Sequence, residues 1–550
     1  MENRLRHSLE HGEFIVSCEL IPGRGALEAG QIRELEEGVK IWQTGRVHAL
    51  SITDNPGGNP ALLADCFARE LLDRNITPLV HFSCKDRNRN QCQSQLYALQ
   101  HQGIENLLVM SGDYPVSGWK GRPRPVFDLD PVQLLQLAGS MNEGQSYQDI
   151  RGVVKDQPAN FLTGAVVNPF KWTEAETITQ YLKLKKKLYA GAGFIVSQVG
   201  FDARKMEELI WYLRDQHLDV PVIANIFILT PGIAKLMRQG EIPGCFISDS
   251  LMETIKREAR EGDKGRRARI NRAAKMLALA RKLGYAGVHI GGFGLSAEIL
   301  EEILDRADEF QDQWQTLAKE LNFGKEQGFY LYEPDLASGL NASCPAPQTE
   351  QRRERAIQKG YGLSRFFHYW VLTLDKRFGV LLAKSMVRRE RKKSKNRPHG
   401  LEHLSKTALY GCIDCGDCGL EPCAYSCPMA KCPKCQRNGP CGGSSEGWCE
   451  VYPEERYCIY FKAYYRLKKH GEVCALEEYI SPPNNWDHFS TSSWSNYTHR
   501  RDNTAGREFL ASPVEACGQP DEPHSRLGEH GQTNTAPGEN TASSETKVSP

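Results

Sequence analysis

The sequence predicts an α/β chain in which residues 1–310 form a (β/α)8 barrel, a TIM barrel. Short apolar segments rich in β-branched residues alternate with longer amphipathic segments between residue 14 and about residue 308. Such alternation is typical of parallel strands joined by helical crossovers. Eight strand–helix units in about 300 residues match the size of a barrel, with an open doubly wound sheet as the alternative.

The predicted strands are eight short segments, each followed by a segment of helical periodicity. They cover residues 14–20, 47–53, 77–83, 105–111, 160–167, 193–198, 220–229 and 286–292. Residues 61–74 and 268–284 are two of the predicted helices. Active sites of such barrels lie at the carboxyl ends of the strands, so the residues that end these segments are the first functional candidates.

Three further regions follow the predicted barrel. Residues 311–400 read as a helical connector that ends in a basic run, Arg388 to Arg397. That run is typical of a solvated linker, with a docking patch for an acidic partner as the alternative. Residues 401–483 form a Cys-rich domain, and residues 484–550 are predicted to be a disordered tail because they have few apolar residues to bury.

Charge and hydropathy exclude several classes of protein. The net charge is +1, so no overall basic field points to a nucleic-acid partner. No segment approaches the roughly 20 apolar residues that cross a bilayer, and the N-terminus has no apolar core of a secretion signal. We therefore expect a cytoplasmic protein with reduced thiols.

Cysteine is concentrated in one segment, which holds ten of the 18 cysteines in 47 residues. The ten are Cys412, Cys415, Cys418, Cys423, Cys427, Cys432, Cys435, Cys441, Cys449 and Cys458. Thiolates in groups of four bind either tetrahedral zinc or an iron–sulfur cluster. The segment contains no histidine, so all-sulfur ligation is expected, with a [4Fe–4S] cluster and zinc both open. Ten thiols allow two four-ligand sites with two cysteines left over.

Polar side chains stand at or just after several strand ends. They are Glu19, Thr53, His81 with Cys84, Asp113, Asn168 and Gln198. Each has an ordinary structural explanation on its own; Asp113, for example, lies in a Gly-Asp-Tyr-Pro turn sequence. Lys183, Lys186 and Lys187 share one face of a predicted helix, which suits either phosphate binding or a solvated surface.

Five motifs occur in register along the predicted barrel. They are CELIP (18–22), SIT (51–53), HFSC (81–84), GDYP (112–115) and KLKKKLYAGAGFIVSQ (183–198). In this order and spacing the chain resembles the methylenetetrahydrofolate reductase family over about residues 12–308. The resemblance implies a barrel that binds FAD, with FMN the less favoured flavin, and reduces 5,10-methylenetetrahydrofolate to 5-methyltetrahydrofolate with NAD(P)H.

The resemblance also implies roles for individual residues. Glu19 would be the general acid that protonates N10 of the folate. Asp113 would contact both flavin and folate, and Gln198 would contact the pterin. The remaining implied cofactor-binding residues are Thr53, His81, Asn168, Lys183, Lys186 and Lys187, of which the last two match the positions that hold the FAD diphosphate.

Several positions depart from the family pattern. A basic residue that precedes Gly-Asp in the family is Ser111 here, and a frequent His before Pro169 is Asn168. Two positions of the flavin-binding helix, usually acidic and Asn, are Gln180 and Lys183. The Pro-Gly expected in the seventh strand reads Ala224-Asn225.

The Cys-rich region resembles a C-terminal domain attached to some of these reductases. That resemblance implies a role in passing electrons to the barrel or in docking an electron-transfer protein. Electrons that enter through this region from ferredoxin or a partner are therefore the alternative to NAD(P)H. A proline dehydrogenase-like flavin barrel is a second competing hypothesis, and a non-catalytic assembly module is a third. We expect a homo-oligomer or part of a larger complex.

Overall fold

The computed structural model describes residues 2–347, 355–372 and 400–504. All of them belong to one compact unit, Met1–Ser512. The basic run from Arg388 to Arg397 lies outside the described residues, as does the predicted tail beyond Thr504. No helix in the described part of the chain is long and apolar enough to cross a membrane.

Eight parallel strands close into a barrel, which confirms the predicted fold class. They are β1 (Ile15–Leu20), β2 (Ala49–Ile52), β3 (Pro78–Ser83), β4 (Asn106–Met110), β7 (Leu162–Val167), β8 (Phe194–Ser197), β9 (Val222–Phe227) and β10 (Gly287–Gly291). The first strand pairs with β2 on one side and with β10 on the other, and the β10 pairing closes the ring. Each predicted strand segment contains one of these strands.

Helices pack around the barrel. They are α1 (Arg4–His11), α2 (Ala29–Gln43), α3 (Ala64–Asp73), α4 (Arg89–His101), α5 (Pro131–Glu143), α6 (Glu174–Tyr189), α7 (Ala203–Asp215), α8 (Pro231–Arg238), α9 (Asp249–Glu258), α10 (Arg266–Leu283) and α11 (Ala297–Phe310). Asp130 and Gln133 form a capping box at the start of α5, whose first residue is a proline. An antiparallel hairpin of β5 (Ser146–Asp149) and β6 (Gly152–Lys155), which the sequence pattern did not predict, lies between α5 and β7.

Side chains alternate between the inside and the outside of the barrel, as the period of two along a strand requires. Ile15 of β1 packs inside with Leu79 and Ile223, whereas Val16 and Cys18 belong to the larger core between strands and helices. This alternation places Glu19 on the inner face, at the carboxyl end of β1.

A polar layer crosses the middle of the barrel. Ser17 hydrogen-bonds to His289 at 3.0 Å, and Ser51 hydrogen-bonds to His81 at 2.7 Å. The two imidazole rings lie 6.2 Å apart. Burial lowers the pKa of His81 to about 4 and that of His289 to about 3, so both rings are neutral near pH 7.

The chain beyond the barrel covers its outside and then its mouth. Helix α12 (Trp314–Glu320) and the hairpin of β11 (Tyr332–Asp335) and β12 (Leu340–Pro345) precede the helices α13 (Arg355–Gln358) and α14 (Tyr361–Phe367). Residues 400–504, which we call the module, contain the helices Gly400–Tyr410, Pro428–Lys431, Ile459–Lys468 and Ser493–Thr498.

The predicted start of disorder at residue 484 is wrong for residues 484–504. Asp417 is buried and accepts hydrogen bonds from the backbone N–H groups of Asn485 and Asn503. Ser493 and Asn496 are also buried. These residues are polar, and hydrogen bonds inside the module hold them in place, an order that a test based on apolar content does not detect.

Candidate active site

Glu19 is the carboxylate at the mouth of the barrel. A Cβ atom added to Gly291 would lie 2.7 Å from Glu19 Oε2, so the neighbouring strand leaves room for this carboxylate only because it carries glycine. Among the described residues none donates a hydrogen bond to it. Burial raises the pKa of Glu19 to about 7, and the nearby charge of Glu34 adds to that rise. A carboxyl group of this kind is protonated over part of the neutral pH range.

Thr53 and His81 belong to the next two strands of the barrel: Thr53 comes just after β2, and His81 lies within β3. Thr53 follows β2 and its backbone N–H bonds to Leu20 O at 3.1 Å, beside Glu19. His81 points into the barrel one layer below, where Ser51 holds its ring. The structure therefore brings Thr53 to the same rim as Glu19 and places His81 beneath them.

Asp113 lies in the loop after β4. Its carboxylate accepts a hydrogen bond from the backbone N–H of Gly57 at 2.8 Å, which ties this loop to the one after β2. Lys434 of the module donates to the carbonyl of Gly112 at 2.9 Å and pairs with Glu450. The module therefore contacts the chain directly beside Asp113.

Asn168 and Gln198 meet on the opposite part of the rim. Asn168 donates to the carbonyl of Gly244 at 2.9 Å and to that of Gly442 in the module at 3.0 Å. Gln198 directly follows β8, and a Cβ atom on Gly244 would lie 3.3 Å from Gln198 Nε2. The two predicted site residues are thus neighbours, and the side-chain amide of Asn168 already donates to two backbone carbonyls.

Lys183 is buried and points into the module. Its ammonium group donates to Gln436 Oε1 at 2.7 Å and to the carbonyls of Gly439 and Pro440 at 3.1 Å each. An ammonium group has three N–H donors, so these three acceptors use all of them. Gln436 also accepts a hydrogen bond from Ser111 at 3.2 Å.

Lys186 and Lys187 are buried on the same helix. Burial lowers the pKa of Lys186 to about 8 and that of Lys187 to about 7. Lys187 donates to the carbonyl of Val166 in β7. The alternative of a solvated lysine face is therefore wrong, because the module and the barrel enclose this side of α6.

Asp130, which motif reading missed, joins the barrel to the module. One carboxylate oxygen caps α5, and the other accepts from the backbone N–H groups of Arg437 and Asn438 at 3.1 and 2.8 Å. Lys171 similarly donates to the carbonyl of Ser444. An Asp-Pro before a helical segment predicts a cap, but the second set of contacts depends on a partner about 300 residues away in sequence.

Family models match both parts of the chain. A model described as "Methylenetetrahydrofolate reductase" matches residues 4–308, and one described as "Methylene-tetrahydrofolate reductase C terminal" matches residues 392–487. The first match alone covers more than half of the chain.

The chain belongs to the methylenetetrahydrofolate reductase family. This membership confirms the resemblance drawn from the five motifs and favours a reductase barrel over a proline dehydrogenase-like one. A "Probable methylenetetrahydrofolate reductase (NADPH)" of Caenorhabditis elegans is 23% identical over 47% of this chain and 37% of its own length. "Methylenetetrahydrofolate reductase 1" of Schizosaccharomyces pombe is 21% identical over 52% of this chain and 44% of its own length. The chain thus spans less than half the length of these two relatives.

Among solved structures, a protein from Clostridium thermocellum has a similar arrangement of the chain. It is described as uncharacterized and as binding two copies of 5-methyl-5,6,7,8-tetrahydrofolic acid. The TM-score is 0.41 at 11% identity, and the match covers 56% of this chain and 99% of that one.

Family membership raises the question of whether FAD fits the residues present. At the strand ends Glu19 and Thr53 stand side by side on the rim, and Asp113 lies in the loop after β4. At the helix the residues do not fit a diphosphate, because Lys183 and Asn168 donate to carbonyls of the module and Lys187 donates to Val166. Three of the departures from the family pattern, Ser111, Asn168 and Lys183, are residues that hydrogen-bond to the module.

All ten clustered cysteines lie in the described module, and none of them is in a disulfide. Among the described residues no group of three or more His, Cys, Asp or Glu side chains is arranged to hold a metal ion. A single tetrahedral zinc ion needs four sulfurs that each lie about 2.3 Å from it. The thiols are thus available, but they do not close around a single ion.

Proposed function

We propose that the protein reduces 5,10-methylenetetrahydrofolate to 5-methyltetrahydrofolate. The observation that carries this proposal is the carboxyl group of Glu19, which lies near the carboxyl end of β1 at the barrel mouth and has a pKa raised to about 7. Active sites of these barrels lie at the carboxyl ends of the strands, and a general acid works best when its pKa is near the working pH. Family membership over residues 4–308 supports the same reaction.

Glu19 has a defined task in this reaction. The substrate gains two electrons and two protons in total, and the carbon–N10 bond breaks. Protonated Glu19 donates a proton to N10, which turns that nitrogen into a better leaving group. His81, whose pKa burial lowers to about 4, is neutral near pH 7 and therefore does not act as the general acid in this step.

Asp113 and Gln198 would hold the substrate. Both lie on the rim that Glu19 shares, after the two strands that flank β7, and both carry polar groups that a pterin ring can pair with. Asp113 is oriented by the Gly57 N–H at 2.8 Å, and one oxygen of Gln198 accepts from the Val199 N–H at 2.8 Å. These bonds fix the side chains before the substrate arrives, which lowers the cost of ordering them.

The source of the two electrons has two candidates. NAD(P)H is the donor that the family resemblance implies, with FAD as the carrier. The other candidate is electron transfer through the module. The hydrogen bonds of Lys434, Gln436 and Gly442 to the rim of the barrel and to Lys183 favour this route. We derive no step through FAD, because the lysine helix does not fit a diphosphate in this arrangement.

Anaerobic assays of the full chain test the proposal. The protein is mixed with 5,10-methylenetetrahydrofolate and with NADH, NADPH or reduced ferredoxin in separate reactions, and 5-methyltetrahydrofolate is measured by liquid chromatography. We expect product with at least one donor, and a rate lower by a factor of about 10² to 10⁴ with the Glu19→Gln variant. Product formed at the wild-type rate by Glu19→Gln would rule out the assigned role of Glu19, and no product with any donor would overturn the proposal.

A further inference from the structure

Four basic side chains on the rim of the barrel form no ion pair within the described part of the chain. Arg24 lies in the loop after β1, and Lys120, Arg122 and Arg124 lie in the loop after β4. We call these four residues the rim cations. All four are exposed. Residues 114–127 contain no acidic residue, so the positive charge of this loop is not balanced within it.

The loops after β1, β2 and β4 are joined at one point of the rim. Arg24 donates to Asn59 Oδ1 at 3.0 Å and to Ser117 Oγ at 2.6 Å, and Ser117 donates to Asn59 Oδ1 at 2.6 Å. The backbone N–H of Val116 donates to the carbonyl of Gly58 at 3.0 Å. These bonds hold the cations of two loops on one wall of the mouth.

Arg122 is oriented by the protein but keeps donors free. Its Nε donates to the carbonyl of Pro115 at 2.9 Å, and its guanidinium carbon lies 4.6 Å from the centre of the Tyr114 ring. Its two terminal nitrogens donate to no described residue. Arg124 stands between two prolines, which restrict the backbone on both sides of it. A guanidinium group with free terminal nitrogens can hold a carboxylate through two parallel hydrogen bonds.

The grouping of the rim cations favours an anionic ligand. Arg24 and Arg122 bond to Ser117 and Pro115, so their guanidinium groups stand over one short segment of the loop. Like charges that are held together without a counter-charge repel one another, and a wall of one sign of charge attracts ions of the opposite sign. The four side chains stay exposed although the module bonds to the rim at Gly112, so this wall is open to a ligand.

The folate of the proposed reaction has a matching distribution of charge. Its N10 atom, which Glu19 protonates, is attached to the p-aminobenzoyl ring, and a glutamate follows that ring. The two carboxylates of this glutamate are the negative end of the molecule, and each further γ-linked glutamate adds one carboxylate. Glu19 belongs to the strand that leads into the loop of Arg24, and Asp113 begins the loop that carries the other three rim cations.

We propose that the rim cations bind the glutamate end of the folate and that the protein prefers folates with several γ-linked glutamates. This inference rests on the proposed function and names the form of its substrate. With the pterin at Asp113 and N10 at Glu19, the tail leaves the mouth across the loops after β1 and β4. The two carboxylates of a single glutamate do not balance four cations, whereas a longer tail does.

Calorimetric titration of the full chain tests this assignment with three ligands. They are 5-methyltetrahydrofolate with one glutamate, the same folate with several γ-linked glutamates, and a tetrahydropterin without the p-aminobenzoylglutamate. The wild-type chain should bind the longer folate most tightly, and added salt should reduce that preference because the contacts are exposed. In Arg122→Gln/Arg124→Gln the Kd of the one-glutamate folate should rise about fivefold, and that of the longer folate by a larger factor. The Kd of the tetrahydropterin should not change, which also shows that the variant is folded.

Arg151→Gln/Lys282→Gln is the matched control. It removes the same number of exposed positive charges. Arg151 lies in the hairpin that follows α5, and Lys282 lies in the last turn of α10, so both stand at the end of the barrel where the strands begin. All three ligands should bind this variant as they bind the wild-type chain.

Three results would overturn the assignment. One is equal affinity of the wild-type chain for the short and the long folate. The second is an unchanged Kd of both folates in Arg122→Gln/Arg124→Gln. The third is weaker binding of NADPH but not of folate in that variant, since the cations would then serve a nucleotide phosphate. Each of these leaves the proposed function standing, whereas a wild-type chain that binds none of the three ligands overturns the proposed function together with this inference.

Discussion

The ammonium group of Lys183 donates a hydrogen bond of 2.7 Å to Gln436 Oε1, across 253 positions of sequence. Lys183 lies on the barrel helix that follows β7, and Gln436 lies between two cysteines of the module. Because the same lysine also bonds to the carbonyls of Gly439 and Pro440, it holds the module onto the barrel at the place where the resemblance expects a cofactor.

Replacement of Lys183 by Met should loosen this contact. The change removes the lysine donor from the buried carbonyls of Gly439 and Pro440 and leaves Gln436 Oε1 with Ser111 alone, which costs about 2–4 kcal/mol of the free energy of unfolding. Denaturant unfolding measures that loss, and hydrogen exchange should rise in residues 434–444. Lys155→Met, on an exposed hairpin, is the control and should change neither; an unchanged exchange rate in Lys183→Met would show that this contact does not hold the module.

Glu19→Gln should lower the rate of folate reduction by a factor of about 10² to 10⁴, the usual contribution of a positioned general acid. The amide has nearly the same shape, so binding of 5-methyltetrahydrofolate, measured by calorimetry, should change little. Glu13→Gln is a suitable control, because Glu13 is an exposed carboxylate at the other end of β1. Equal activity in the two variants would contradict the role assigned to Glu19.

The pH profile should show the titration of Glu19. The acid is protonated below its pKa and loses its proton as the pH rises through about 7, so kcat/KM should fall on the alkaline side of that value. The charge of Glu34 raises the pKa of Glu19, so Glu34→Gln should move the alkaline fall of kcat/KM to lower pH. Its amide oxygen can still accept from the Ile21 N–H, which keeps the local structure. If kcat/KM falls at the same pH in Glu34→Gln as in wild type, Glu19 is not the titrating group.

Stability should depend on pH through the same residue. The pKa of Glu19 is raised in the folded chain, from an ordinary value of 4.5 to about 7. Its contribution to stability is therefore complete below pH 4.5 and is lost as the pH rises through about 7. The free energy of unfolding of Glu19→Gln, relative to that of wild type, should therefore be about 1–3 kcal/mol higher at pH 8.5 than at pH 4.5. Urea unfolding of both proteins at the two pH values measures this change. The same difference in free energy of unfolding at both pH values would contradict the prediction.

Asp130→Ala should destabilise both the barrel and the module. The substitution removes the cap of α5 and the acceptor of the Arg437 and Asn438 N–H groups, at a cost of about 2–4 kcal/mol. Thermal unfolding followed by calorimetry measures this cost. Asp219→Ala, at an exposed position, serves as the control, and an equal effect of the two would refute the bridging role of Asp130.

Much of the fold was readable from the sequence because local periodicity determines it. Every predicted strand segment contains a barrel strand, and Glu19, Thr53, Asp113 and Gln198 reach the predicted rim because parallel strands all end on one side. The hairpin at 146–155 was missed because its strands are short and exposed, with no apolar alternation to mark them. The order of residues 484–504 was missed because it rests on buried hydrogen bonds and little apolar surface.

The lysine helix shows the limit of motif reading. Lys183, Lys186 and Lys187 share a helix face, as their spacing predicts, but the spacing does not say what covers that face. The cover is a segment more than 240 residues away, and only the packed chain brings Gln436 to Lys183.

The sequence by itself determined the barrel, the identity of its rim residues and the presence of ten clustered thiols, since these follow from periodicity, strand direction and composition. Tertiary structure alone decided that the module occupies the barrel mouth and that eight of the ten thiols surround two cavities in fours. The physical reason is that thiol grouping depends on how loops fold back in space. Cys427 joins three cysteines that precede it, past Cys423, although Cys423 lies nearer to them in sequence.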